Sequence, residues 1–283
     1  MSKSGIVSNQ QPVTDATILK VEDLKKYFPV ERGVFRRIVD YVRAVDGISF
    51  EIKKGEIFAL VGESGCGKTT TAKLIVRLLE ATGGKILFYG KDISSLRRTE
   101  LARKIQIIFQ DPFASLNPRL TIGTIIGEAV RHRLEAAGGK VNGREIVEKT
   151  RELLNKVGLP SNILNEYPHQ FSGGQRQRIG IARALAMEPE LIVADEPVSS
   201  LDISVQAQIL NLLLDLRDSL GLSYVLIAHD LNVVRFLSDR IAVMYRGRIV
   251  ETGSVEMVYE HTGHPYTKSL LEAIPTAEPQ PTE

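Results

Sequence analysis

A glycine-rich segment, GESGCGKTT, limits the folds open to this chain more than any other stretch. Gly62, Gly67, Lys68 and Thr69 match the pattern G-x-x-x-x-G-K-[ST]. The apolar run IFALV before them is typical of a buried strand, and a helical pattern follows. In such a loop backbone N–H groups close around phosphates, lysine neutralises the β and γ charges, and the threonine hydroxyl can ligate Mg²⁺. The segment therefore predicts an α/β fold that binds a nucleotide.

The other residues of this phosphate loop (residues 62–70) are expected to line the same site, namely Glu63, Ser64, Gly65, Cys66 and Thr70. Cys66 is the single cysteine of the chain, so an internal disulfide is excluded and a reducing cytoplasm fits best. We expect Cys66 to be a small residue in a tight loop with no redox role.

An acidic pair ends a second buried strand, in the segment LIVADEP. Asp195 is expected to support Mg²⁺, and Glu196 is expected to point a carboxylate at an attacking water. A strand that ends in Asp-Glu-Pro can also simply exit into solvent, but the phosphate loop makes this the weaker interpretation. The two motifs together predict Mg²⁺-dependent hydrolysis of a nucleotide.

Apolar strand patterns alternate with amphipathic helices along most of the chain, which is typical of an α/β domain around a largely parallel sheet. From about residue 123 to 186 the pattern is almost entirely helical and predicts a helical subdomain. The preceding loop, DPFASLNPRLTI, contains two prolines that are expected to prevent regular structure. Residues 1–17 are expected to be flexible, and the tail 276–283 to be disordered.

Composition and charge exclude several classes of protein. Lys+Arg 36 against Asp+Glu 34 leaves a net charge of +2, which does not indicate a nucleic-acid partner. The polar start MSKSGIVSNQQPVTDAT lacks the apolar core of a secretory signal. The longest apolar runs are too short to cross a bilayer, so we expect no inserted segment.

Six motifs stand in a characteristic order: the phosphate loop, Gln110 in IIFQDP, SGGQ at 172–175, ADEP at 194–197, SSLD at 199–202, and His229 in IAHD. This order resembles the ATPase subunit of an ABC transporter, from about residue 19 to 275. The resemblance implies a P-loop NTPase core with a parallel sheet, an N-terminal antiparallel β portion and an inserted helical subdomain. It places the ABC ATPase domain at residues 18–275, with a C-terminal extension at about 254–275.

In this family two cassettes lie head to tail, and each ATP sits between the phosphate loop of one and the signature turn of the other. The resemblance assigns that turn to Ser172, Gly173, Gly174 and Gln175, which would face the γ-phosphate of a partner's ATP. Asp202 resembles the residue that contacts the opposite cassette. A plain helix cap at Ser172 is the alternative, although it does not explain the adjacent Gly-Gly-Gln.

Three further roles follow from the resemblance. Gln110 is similar to the residue that senses Mg²⁺ and water while it joins the sheet to the helical subdomain. His229 is similar to the switch histidine that touches the γ-phosphate and orients Glu196. Phe28 is the match for the aromatic ring that stacks on adenine, with Tyr27 as the alternative, and a core role for either ring stays open.

The segments LKKYFPVERG, VRAVDGISF, FQDPFASLNPR and TGHPYTKSLLEAIP narrow the resemblance to the ATPases of dipeptide/oligopeptide importers. Such a subunit would pair with a second ATPase, either a different chain or another copy of this one. The pair would lie at the cytoplasmic face of the membrane beneath two permease subunits, served by an external solute-binding protein. The implied cargo is a peptide, an oligosaccharide or a nickel chelate.

Two alternative functions share some of these motifs. A soluble ABC ATPase of DNA repair or ribosomes would carry two cassettes, a long coiled-coil insertion or a basic face, and the sequence has none of them. A non-hydrolysing regulatory partner is disfavoured because Glu196, His229 and the SGGQ turn are intact. ATP hydrolysis coupled to import is therefore the expected function, with ATP and Mg²⁺ as ligands.

Overall fold

The computed structural model describes residues 16–32, 37–138 and 141–273. The strands in these ranges are β1 (Thr17–Arg32), β2 (Arg37–Lys53), β3 (Ile57–Val61), β4 (Gly83–Phe88), β5 (Lys91–Asp92), β6 (Ile105–Ile108), β7 (Leu191–Asp195), β8 (Ser223–Ala228), β9 (Arg240–Tyr245) and β10 (Arg248–Ser254). The helices are α1 (Lys68–Ile75), α2 (Arg98–Lys104), α3 (Pro112–Ser115), α4 (Ile122–Ala136), α5 (Gly143–Lys156), α6 (Gly173–Leu185), α7 (Ile203–Leu220), α8 (Leu231–Leu237), α9 (Val255–Glu260) and α10 (Pro265–Glu272). The predicted α/β class is confirmed.

The central sheet has the strand order β10-β9-β3-β8-β7-β6. All of its strands are parallel except β10, which pairs antiparallel with β9. Every residue of β3, β7 and β8 is buried, as expected for apolar runs covered on both faces. Because parallel strands end at the same edge, the segments that follow β3, β6, β7 and β8 meet there.

Successive residues of β3 point into two different cores. Ile57, Ala59 and Val61 pack into one hydrophobic cluster with residues of α4, α6 and α7. Phe58 and Leu60 pack into a second cluster with α1 and with strands of the N-terminal sheet. This alternation holds β3, and the phosphate loop that follows it, between two rigid layers.

The N-terminal sheet is antiparallel, as predicted. Its strand order is β2-β1-β4-β5. Its β1 and β2 form one long hairpin, in which Val30 pairs with Asp40 and Arg32 with Arg37. The dozen residues VERGVFRRIVDY after Tyr27 and Phe28 were expected to separate these rings from the next strand. Both strands instead run into this segment, where Val30, Ile38 and Val39 are β-branched and favour extended pairing. Residues 33–36 lie outside the description.

One prediction about the loop before the helical segment was wrong. Residues DPFASLNPRLTI were expected to lack regular structure, yet Pro112 begins the short helix α3. Proline is well tolerated at the first position of a helix, and the Asp111 carboxylate accepts hydrogen bonds from the amides of Phe113 and Ala114. The long helices α4, α5 and α6 then fall within or next to the predicted range of 123–186.

The ends of the chain differ slightly from expectation. Of the predicted flexible residues 1–17, Ala16 and Thr17 are described, and Thr17 already belongs to β1. The predicted C-terminal extension contains α9 and α10, and the predicted disordered tail 276–283 lies outside the described residues. Among the described residues no helix is long and apolar enough to span a membrane.

Candidate active site

The phosphate loop is wedged between two strands, and its glycines are required there. Gly62 has φ 146° and Gly67 has φ 115°, which side chains rarely adopt. A Cβ on Gly62 would lie 2.1 Å from the Met244 carbonyl oxygen in β9. A Cβ on Gly67 would lie 2.1 Å from the Ala44 carbonyl oxygen in β2. The loop therefore keeps its backbone N–H groups in a fixed cradle at the start of α1.

Lys68 is buried inside this cradle. Its Nζ donates to the carbonyl oxygens of Gly62 at 2.7 Å and Glu63 at 2.8 Å, and only 5% of the residue is exposed. The ammonium is thus held by the loop itself and faces the space that the loop encloses. Burial raises the pKa of the neighbouring Cys66 thiol. At neutral pH Cys66 is therefore protonated and is not a reactive thiolate.

The end of β7 meets the beginning of α1 through one hydrogen bond. The Thr69 hydroxyl donates to the Asp195 carboxylate at 3.1 Å, and Asp195 is 3% exposed. Burial raises the pKa of Asp195, because the charged form loses its hydration there. A hydroxyl and a carboxylate are oxygen ligands of the kind that Mg²⁺ prefers, so this pair fits the metal that the sequence predicts.

Three sequence-predicted residues come together at Glu196. Its Oε2 accepts a hydrogen bond from Gln110 Nε2 at 2.8 Å and lies 3.0 Å from His229 Nδ1. The three residues follow β7, β6 and β8 respectively, so the sheet edge alone brings them together. The Glu196 side chain is 14% exposed, which leaves one face of the carboxylate open to a water molecule.

Glu196 also has an unusual backbone. Its φ is 47°, in the left-handed region where a residue with a side chain costs about 1–3 kcal/mol. The Glu196 amide donates to the Ile227 carbonyl oxygen of β8 at 2.9 Å, which holds this conformation in place. Strain of this kind collects at functional sites, and here it turns the carboxylate toward Gln110 and His229. The motif ADEP gives no sequence signal for it.

The predicted signature turn forms the beginning of α6. Ser172 Oγ accepts from the Gln175 amide at 3.4 Å, and the Ser172 amide donates to Gln175 Oε1 at 3.0 Å, so the two residues cap the helix reciprocally. Gly174 is buried against α7, where an added Cβ would lie 2.3 Å from Val205 Cγ1. A Cβ on Gly173 would meet only Leu201, at 3.2 Å. Ser172 and Gln175 remain exposed.

The arginines of α6 bind carbonyl groups of the surrounding chain. Arg176 donates to Pro168 and His169, Arg178 to Val157, and Arg183 to Ser115. The guanidinium of Arg176 also stacks on the ring of Phe113 in α3, 3.8 Å from its centroid. These contacts explain why the helix is rich in arginine and contains no lysine, because a planar fork of donors can hold several carbonyls. The sequence pattern indicated the arginines but not their partners.

Asp202 caps α7. Its Oδ1 accepts from the Val205 amide at 3.0 Å and from the Ser204 hydroxyl at 2.8 Å. The backbone N–H of Val205, more than any other group, lowers the pKa of the Asp202 carboxyl. The next residue, Ile203, is 85% exposed, which is uncommon for a large apolar side chain. Asp202 and Ile203 thus present a charged and an apolar group side by side at the surface.

The two rings considered for adenine have different surroundings. The Tyr27 hydroxyl donates to Asp46 at 2.5 Å, and the Arg248 guanidinium makes two hydrogen bonds to the other oxygen of that carboxylate. Phe28 is half-buried in β1, and its ring has the ammonium of Lys26 5.1 Å from its centroid. Neither ring belongs to the two buried hydrophobic clusters of the described residues. The Tyr27 hydroxyl is therefore bound to Asp46, and the stacking of adenine on Phe28, or on Tyr27 as the alternative, stays a prediction.

One contact to the phosphate loop has no counterpart in the sequence interpretation. The Tyr266 hydroxyl in α10 accepts a hydrogen bond from the Glu63 amide at 3.0 Å. The two residues are 203 positions apart, so no local pattern signals this contact.

Comparisons with known proteins show the family of this chain. The model of the family described as ABC transporter matches residues 45–199. The chain is 52% identical to the oligopeptide transport ATP-binding protein AppF of Bacillus subtilis over 264 residues, which cover 92% of this chain and 78% of AppF. It is 47% identical to the dipeptide transport ATP-binding protein DppF of Haemophilus influenzae, with 93% and 79% of the two chains covered.

Solved structures show the same fold. The ATP-binding cassette MJ0796, determined as a dimer in a post-hydrolysis state with ADP and Pi, superposes with a TM-score of 0.72 at 30% identity. The superposition covers 84% of this chain and 98% of that cassette.

Proposed function

This chain belongs to the ABC transporter ATP-binding family, and we propose that it is the ATP-hydrolysing subunit of a membrane importer for peptides. The observation that carries the chemistry is the Glu196 carboxylate, held between Gln110 and His229 at the sheet edge that also bears the phosphate loop. The transport assignment is supported by relatives whose names describe oligopeptide and dipeptide transport. Oligosaccharides and nickel chelates are the alternative cargoes, and a binding assay with each of them would distinguish them from peptides.

The mechanism follows from the positions of the side chains. The loop amides and the Lys68 ammonium bind the β- and γ-phosphates of ATP and stabilise charge that develops on the γ-phosphate. Glu196 accepts a proton from the attacking water, while Gln110 and His229 fix the carboxylate's orientation. Thr69, Asp195 and Gln110 are the residues that would hold Mg²⁺, which would neutralise charge on the phosphate oxygens. The products are ADP and phosphate.

We infer that a second cassette completes the site. The signature turn lies at the surface: Gly174 packs on α7, and Ser172 and Gln175 are exposed. Ile203 is exposed beside Asp202 and would be covered by the opposite cassette. The solved cassette that this chain resembles is a dimer, which supports the same assembly. The partner ATPase is either a different chain or a second copy.

The remaining partners follow from the transporter assignment. Two transmembrane permease subunits would bind this chain at the cytoplasmic face of the membrane, and an external solute-binding protein would deliver the cargo. A soluble ABC ATPase is the alternative, and it would carry two cassettes, a long coiled-coil insertion or a basic face. The longest helix among the described residues is α7, with 18 residues, so the described part of the chain contains no such insertion.

A titration of ATPase rate against protein concentration tests the shared site. Because each ATP needs two cassettes, the specific activity of the isolated chain should rise with concentration, or on addition of the partner ATPase. A dilute chain whose total rate stays strictly proportional to its concentration would contradict the shared site. The import role is tested by purifying the chain from membranes together with the permease subunits. Peptide binding to the external solute-binding protein is then measured.

A further inference from the structure

The C-terminal helix α10 reaches the phosphate loop through a single side chain. Tyr266 is the second residue of α10, and its hydroxyl accepts the hydrogen bond of the Glu63 amide at 3.0 Å. Its ring packs on Tyr245, the last residue of β9, with 4.2 Å between the ring centroids. Burial raises the pKa of Tyr266, so the hydroxyl is neutral at physiological pH, and its oxygen accepts from the amide.

The peptide group between Gly62 and Glu63 links Tyr266 to Lys68. Its N–H, on Glu63, donates to Tyr266, and its carbonyl oxygen, on Gly62, accepts a hydrogen bond from Lys68 Nζ at 2.7 Å. The Glu63 carbonyl oxygen accepts a hydrogen bond from Lys68 Nζ at 2.8 Å and another from the Cys66 amide at 3.3 Å. Tyr266 therefore binds the N–H of the peptide group whose carbonyl oxygen, on Gly62, accepts from the ammonium. Loss of the Tyr266 hydroxyl would let this peptide group reorient, and the Lys68 ammonium would shift with it.

α10 is itself held in place by the central sheet. Glu251 in β10 accepts hydrogen bonds from the Thr262 hydroxyl at 2.6 Å and from the Gly263 amide at 2.9 Å. His264 Nδ1 then accepts from the Tyr266 amide at 3.2 Å and caps the helix. A carboxylate that binds two donors fixes the turn before α10, so Tyr266 approaches the loop from a rigid support.

We propose that Tyr266 is a positioning residue for nucleotide binding, through which the C-terminal extension sets the shape of the phosphate loop. The inference rests on the proposed nucleotide site, and it adds a residue that lies outside all six motifs. The coupling is reciprocal: if α10 stabilises the loop for nucleotide, bound nucleotide must also stabilise α10. Tyr266 does not need to touch ATP for this role.

The test compares Tyr266→Phe with Tyr259→Phe in the full chain. Both variants lose one hydroxyl of the same C-terminal extension. The Tyr259 hydroxyl, however, donates to the Leu231 carbonyl oxygen of α8 and not to the phosphate loop. Hydrogen exchange without nucleotide should be faster in the 62–67 peptide of Tyr266→Phe alone. The Kd for a fluorescent ADP analogue should rise about three- to tenfold in Tyr266→Phe and stay unchanged in Tyr259→Phe. Because loop shape affects binding first, KM should change more than kcat.

The exchange measurement separates this inference from the proposed function. Faster hydrogen exchange in the phosphate loop of Tyr266→Phe supports the positioning role. If the wild-type chain binds no nucleotide, that second result counts against the proposed nucleotide site and not against the contact of Tyr266 with the loop. Equal loop exchange and equal Kd in Tyr266→Phe and wild type would overturn the positioning role. If Tyr266→Phe fails to fold, Thr262→Val loosens the turn before α10 while Tyr266 is retained. That variant should raise the Kd in the same direction, and an unchanged Kd would overturn the proposal.

Discussion

Replacement of Glu196 by glutamine should separate nucleotide binding from hydrolysis. Glu196 Oε2 receives two contacts, from Gln110 Nε2 at 2.8 Å and His229 Nδ1 at 3.0 Å. A glutamine carbonyl oxygen at the same place can accept from Gln110 or His229, so the local arrangement should survive. The substitution leaves Thr69, Asp195 and Lys68 in place. What it removes is the anionic oxygen that accepts a proton from water.

The magnitude follows from that loss. A general base contributes about 10²–10⁴ in rate, which corresponds to about 3–5 kcal/mol of activation free energy. We expect the fall in kcat to lie in this range while the Kd for Mg·ATP changes little. Since hydrolysis normally reopens the two cassettes, the variant should also accumulate an ATP-bound dimer.

The assay is single-turnover hydrolysis together with size-exclusion chromatography coupled to light scattering, with and without the partner ATPase. Glu190→Gln is the matched control, because Glu190 lies directly before the opposite end of β7 and binds Lys104 and Tyr89. The control should hydrolyse ATP as the wild type does. Near-normal hydrolysis by Glu196→Gln and no trapped dimer in either format would remove Glu196 from the catalytic role.

Three further predictions test the binding loop, the signature turn and the N-terminal sheet. Lys68→Ala should weaken Mg·ATP binding about tenfold or more, because a charge-assisted contact is lost; calorimetry on the folded variant checks this. Gly174→Ala should destabilise the fold by about 1–3 kcal/mol, because its Cβ would lie 2.3 Å from Val205. Gly180→Ala in the same helix meets nothing within 4 Å and should be neutral or stabilising in the same urea titration. Tyr27 and Arg248 lower the pKa of Asp46, so its stabilisation is present above its usual value of 3.8 and is lost as pH falls through the lowered pKa. Asp46→Asn should therefore lower the urea midpoint at pH 7, and the difference from wild type should shrink in strong acid.

Much of the fold could be predicted because its signals are local. Runs such as IFALV and LIVAD are continuous apolar strands, and β3 and β7 follow them residue for residue. The family resemblance predicted that His229 orients Glu196, and the two residues meet because the ends of the parallel strands β7 and β8 share one edge. Gln110, Glu196 and His229 are in fact joined there by hydrogen bonds.

The features that escaped prediction depend on contacts between distant parts of the chain. The long hairpin of β1 and β2 is stabilised by pairing across the two arms, which the composition of one arm does not show. The left-handed backbone of Glu196 depends on its amide hydrogen bond to the Ile227 carbonyl oxygen. The position of the Glu63 amide depends on its hydrogen bond to the Tyr266 hydroxyl. Sequence spacing carries no information about such pairs, since folding of the intervening elements brings them together.

The contacts of α3 indicate how an event at Glu196 would reach the signature turn. α3 is fixed to α6 twice, because Arg176 stacks on Phe113 and Arg183 donates to the Ser115 carbonyl oxygen. Its side-chain link to the end of β7 is the single hydrogen bond between Gln110 and Glu196.

The weaker of these two connections is therefore the one at the hydrolysis site. A rearrangement of the Glu196 carboxylate would release Gln110 while the two arginines keep α3 on α6. α3 would then stay with α6, whose Ile179 and Ile181 pack in the same hydrophobic cluster as Ile57 of β3. Gln110, α3 and Arg176 thus form a continuous physical path from Glu196 to the helix that begins at the signature turn, and coupling between the two sites would travel along it.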